Sequence, residues 1–73
     1  HTGDKPMSHE EVLALLTYML DHNRHHADEL HDICHTLEAA GKTEAAAALA
    51  EALHEYDHGN SKLEKALELA KQA

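Results

Sequence analysis

The sequence predicts an all-α protein, an antiparallel helical hairpin that dimerises into a four-helix bundle. Three observations carry that expectation. Apolar residues recur in alternating steps of four and three along two long segments, helix-start and helix-stop letters divide those segments, and the two stripes match layer by layer when run antiparallel.

Residues 1–7 hold Gly3 and Pro6 without apolar periodicity and read as a flexible leader, leaving 8–73 as the hairpin domain. Ser8-His9-Glu10-Glu11 is a capping box, so the first helix begins there. Its stripe is Val12, Leu16, Met19, Asn23, His26, Leu30, Ile33 and Leu37, a heptad seam, with Leu13, Leu15 and Leu20 beside it widening the apolar face. Gly41 supplies the left-handed cap that ends a helix roughly 48 Å long.

Thr43 is the expected N-cap of a second helix with the stripe Leu49, Leu53, Tyr56, Asn60, Leu63, Leu67 and Ala70. Gly59-Asn60-Ser61, followed by a second capping box at Ser61 to Glu64, raises the alternative of a kink or break near Gly59. The phase of the seam passes through Asn60 without slipping, which favours one helix. Facing residues of the two stripes then have position numbers that add to a nearly constant value, pairing Leu16 with Leu67, Asn23 with Asn60, His26 with Tyr56 and Leu30 with Leu53. The two middle layers are polar.

Composition narrows the function. A chain of 73 residues rarely stabilises itself without metal, disulfide or a partner copy, and the single Cys34 excludes an internal disulfide while suiting a reducing cytoplasm. Ala45, Ala52, Gly59 and Ala66 repeat every seven residues beside the second seam, small side chains that admit another helix and support a homodimer. A net charge of -8 repels nucleic acid and anionic membrane, and no apolar run approaches the ~18 residues of a membrane helix.

Nine histidines remain to be explained. His22, His26 and Glu29, spaced i, i+4, i+7, put two imidazoles and a carboxylate on one helical face, a ligand set for Ni, Co or Zn. His54, His58 and Cys34 are the further metal-ligand candidates. Asn23, Tyr56 and Asn60 read as a structural polar core, with Asn23 and Asn60 as a register lock and His26 alternatively bonded to Tyr56. His25, Asp28, Asp32 and His35 form a solvated row on the outer face of the first helix. Glu51-x-x-His54 and Glu55-x-x-His58 have the spacing of di-iron carboxylate bundles but fall off the seam.

The run Leu16 to Leu30, with its His22-Asn23-x-x-His26-x-x-Glu29-Leu30 pattern, followed by Leu37 to Gly41 and Gly59 to Leu67, resembles a small uncharacterised bacterial helical family. Its members often carry a His-rich leader and are associated with cobalt or nickel uptake systems. The resemblance implies a metal-transport component and marks His22, Asn23, His26, Glu29, Gly59 and Asn60 as matching polar letters. A long His-rich leader is missing from this sequence, which holds only His1 of it.

The expectation is therefore a non-enzymatic, cytoplasmic protein that buffers, delivers or senses a transition-metal ion. Its affinity falls with pH as protons compete for the imidazoles. The alternatives are a helical interaction module whose polar layers set register and, third, a di-iron carboxylate enzyme.

Overall fold

A computed structural model describes residues 6–72, so residues 1–5 of the expected leader lie outside the described residues. Two helices follow one another, α1 over His9–Ala39 and α2 over Thr43–Lys71, packed side by side as a hairpin. Among the described residues there is no strand.

The start of α1 is the predicted capping box. Ser8 Oγ accepts from the Glu11 N–H at 3.1 Å, and Glu11 Oε1 accepts from the Ser8 N–H at 2.9 Å. The Ser8 backbone N–H first and the Ser8 hydroxyl second hold the Glu11 carboxyl below its usual range, because donors to the carboxylate favour its charged form. At the other end the Gly41 N–H donates to the Glu38 carbonyl at 3.0 Å and the Lys42 N–H to the Leu37 carbonyl at 2.9 Å. That is a Schellman turn, and it needs Gly41 at φ +78°.

Thr43 does not cap α2. It is the first helical residue, and Lys42 occupies the cap position without a side-chain bond. The Schellman turn hands the chain to α2 at once, with the Lys42 carbonyl already accepting from the Ala46 N–H at 2.9 Å. Nor does Gly59 break α2, which runs unbroken to Lys71. A helical glycine costs only ~1 kcal/mol, less than the misplacement of Leu63 and Leu67 that a break would cause. The second capping box is unused, and Glu64 reaches across to α1 instead.

The seam of α2 matches its prediction, with Leu53, Asn60 and Leu67 buried and Leu49, Tyr56, Leu63 and Ala70 half-buried. Half of the α1 seam is corrected. Leu16, Asn23, Leu30 and Leu37 face α2 as expected, but the alternate layers are Leu13, Leu20, Ala27 and Cys34. Val12, Met19, His26 and Ile33, expected inside, are exposed, Met19 and Ile33 at about half of their surface. The reason lies at the centre. The N-terminal third is apolar at both phases, whereas residues 26 and 27 offer a choice between an imidazole and a methyl, and burying the imidazole carries a desolvation cost that alanine avoids.

The centre of the core is Cys34, Ala46 and Leu53, with Leu30, Leu37 and Leu49 against them. Asn60 is only 5% exposed, and its Nδ2 has no hydrogen-bond partner, so the expected register lock with Asn23 is not closed at that atom. The hairpin measures 51 × 29 × 15 Å, a slab one helix thick. Folded domains are ordinarily built from at least two such layers.

Candidate metal centre

His22, His26 and Glu29 come together midway along α1, each about half exposed or more. Helical geometry alone aligns them, because residues three and four apart stand over one another. The result differs from three ligands around one point. His26 Nδ1 lies 2.9 Å from Glu29 Oε1, and His26 Nε2 lies 2.9 Å from His22 Nε2. A carboxylate only accepts, so His26 carries its proton on Nδ1 and turns a bare Nε2 lone pair toward His22.

That division assigns the roles. His22 Nε2–H then donates to that lone pair, and an ion bound here would replace the shared proton, with Glu29 behind His26 fixing its tautomer, an arrangement common around metal-bound histidine. On a tetrahedral ion with bonds of ~2.05 Å, two nitrogens lie about 3.3 Å apart, so the pair at its hydrogen-bond distance of 2.9 Å would open by about 0.4 Å to take one. The other Glu29 oxygen is 3.8 Å from His25 Nε2. Among the described residues no group of three His, Cys, Asp or Glu side chains is placed to hold an ion. The chain by itself thus brings two imidazoles and a carboxylate onto one face in a row rather than around a common point.

Tyr18 escaped the sequence reading. Its ring stacks on His22 with centroids 5.8 Å apart and planes 16° from parallel, and His22 meets His26 edge to face at 4.3 Å. The i, i+4 spacing of Tyr18 and His22 was the available signal. The alternative bond from His26 to Tyr56 does not form, because His26 faces away from α2. Asn23, Tyr56 and Asn60 do line the inner seam, half-buried, half-buried and buried.

The remaining candidates are scattered. Cys34 is a buried free thiol on the seam itself rather than at its flank, its Sγ 3.5 Å from the Ala46 carbonyl, and behaves as a small core residue. His54 borders a shallow cleft with His31 and Asp57, where His31 Nε2 is 3.3 Å from Asp57 Oδ2. His58 is exposed, and the straight course of α2 leaves it there. Of the outer row, His35 pairs locally with Glu38 at 3.4 Å, while Asp28 and Asp32 are exposed.

Two long helices, a one-layer hairpin and a surface pair of convergent imidazoles define a small all-α protein with a histidine cluster on one face. The chain belongs to the family described as domain of unknown function (DUF8180), which matches residues 12–70 and so takes in nearly all of both helices and the whole histidine cluster. No curated protein and no solved structure matches it.

Proposed function

We propose that this protein binds a first-row transition-metal ion of the Ni, Co or Zn type through His22 and His26, with Glu29 as the carboxylate behind His26. The observation that carries the reading is the 2.9 Å approach of the two Nε2 atoms while the far nitrogen of His26 is occupied by Glu29. In the metal-free chain that approach is a hydrogen bond from His22 Nε2–H to the lone pair of His26 Nε2, and a bound ion would take the place of the shared proton between the two nitrogens.

The role is buffering, delivery or sensing of that ion in a reducing compartment such as the cytoplasm, where the free Cys34 is stable, or as a component of a metal-transport system. No described helix is long and apolar enough to cross a membrane. A second reading, a helical interaction module, is favoured by the exposed Val12, Leu15, Met19 and Ile33 on the same helix.

Isothermal titration of chelator-treated protein with Zn(II), Ni(II) and Co(II) separates the two. The metal reading expects micromolar or tighter binding that is lost in His26→Ala and weakened about tenfold in Glu29→Gln, the usual scale for an outer partner. Binding that survives His26→Ala defeats it and leaves the interaction module.

A further inference from the structure

Helix α1 carries a second stripe. Val12, Leu15, Met19, His22, His26, Glu29 and Ile33 follow the same three-and-four alternation as the inner seam, one residue earlier, and so lie about 100° around the helix from it. On α2 the positions one before its seam include Ala52, Glu55, Gly59, Lys62 and Ala66. In antiparallel helices the same offset turns both rows to the same side of the hairpin. The ion pairs Arg24–Glu64 and His31–Asp57 mark the opposite side, since each of their members stands one position after a seam residue.

We propose that the face bearing the histidines is the interface of a two-fold dimer of this chain, and that His22 and His26 of both copies together hold one transition-metal ion. The inference rests on the metal reading above. It completes what one hairpin lacks, because a tetrahedral ion takes four donors and each copy presents two nitrogens.

The sequence of the stripe is self-complementary about a two-fold axis at the level of residue 24. Antiparallel α1 helices then set His22 against the partner subunit's His26 and Leu15 against the partner subunit's Ile33. Histidine meets histidine and Leu15 meets Ile33, both about half exposed in the single hairpin, while Met19 comes against the partner subunit's Glu29. At the same level of α2 stands Gly59, where a Cβ would meet nothing within 4 Å, leaving room for a close crossing. Glu55 and Lys62 flank it one turn to either side, both exposed, so the same axis brings Glu55 to the partner subunit's Lys62.

Area sets the terms of assembly. The stripe from Val12 to Ile33 is about 32 Å long, and two helices side by side are about 20 Å wide, giving about 640 Å² per copy. A stable interface buries about 800 Å² per partner, so this face alone sits at the weak end and the shared ion makes the difference. Dimerisation and metal binding are then one linked equilibrium.

Sedimentation equilibrium of the chelator-treated chain, alone and with Zn(II) or Co(II), tests this. The expected result is a monomer that becomes a dimer with one ion per two chains, with the intense visible bands of tetrahedral Co(II), all lost in His26→Ala. Leu15→Glu should weaken the metal-loaded dimer at least tenfold, whereas Glu64→Gln on the opposite face should leave it unchanged. Lys62→Glu should weaken it several-fold and the double charge swap with Glu55→Lys should restore it, helicity by circular dichroism confirming that each variant folds. One ion per chain without a change in mass overturns the dimer and leaves the metal reading standing. An absence of binding overturns both, and a double swap no better than Lys62→Glu overturns the antiparallel register.

Discussion

The two broad faces of the hairpin are made by the same two helices and treated oppositely. One is closed within the chain: Arg24 meets Glu64 at 2.8 Å and His31 meets Asp57 at 3.3 Å, so its charges are answered across the groove. The other leaves Leu15, Met19 and Ile33 about half exposed around two imidazoles that face each other. A face that answers charge with charge across the groove has less left to satisfy than one that leaves apolar side chains in water around a histidine pair. The difference shows that uncovered apolar surface gathers on the histidine side.

The comparison is broken most forcefully at the seam that both faces share. Leu53→Ala, at a position only 3% exposed, should cost about 2–5 kcal/mol in urea denaturation of the metal-free protein, enough to unfold much of a chain this small. Leu15→Ala, on the open face, should change the same measurement by no more than about 0.5 kcal/mol. Equal losses at the two positions would mean that the open face is already covered without metal.

A smaller effect is expected on the closed face. Arg24 and Glu64 are each about half exposed, so a double-mutant cycle with Arg24→Ala and Glu64→Ala should give a coupling below about 1 kcal/mol that shrinks further in 0.5 M salt. A coupling above that, insensitive to salt, would show the bridge to be shielded from water.

Smallest is the response at Glu11, whose capping box sets where α1, and with it the histidine stripe, begins. Its carboxyl pKa is lowered in the fold by the Ser8 backbone N–H and then by the Ser8 hydroxyl. The stabilisation it gives is therefore full above the ordinary carboxylate pKa and lost as pH falls through the lowered folded value. Thermal melts of the protein and of Glu11→Gln should differ near neutral pH and converge in acid. A difference that grows in acid would contradict the sign of the shift.

Helix α2 was legible in the sequence almost residue by residue, because only one of its phases is apolar. Helix α1 was legible at its ends, where Ser8 and Gly41 leave a single solution, and ambiguous along its length, where Val12 and Leu13 or Met19 and Leu20 satisfy the same periodicity. Adjacent apolar residues cannot say which of them turns toward a neighbour. The choice fell at His26 and Ala27, and it moved the candidate ligands from the core to the surface. The spacing of His22, His26 and Glu29 was correctly read as one face, but spacing does not show which ring nitrogen meets which neighbour. That distinction needed the two nitrogens of His26 to be told apart.

The tight turn at Gly41 has a kinetic consequence. Contacts between the helices are nested around it, from Cys34 and Ala46, twelve residues apart, to Arg24 and Glu64, forty apart. Such a hairpin zips from the turn outward, with each closed layer shortening the next loop to be closed, and folds quickly because its earliest contacts are local. By the same order it frays from the open end, where Val12 and Leu15 lie. In the proposed two-fold dimer the partner subunit's Ile33, near its own turn, would rest on Leu15, so that the last part of each copy to zip is held by the first part of the other.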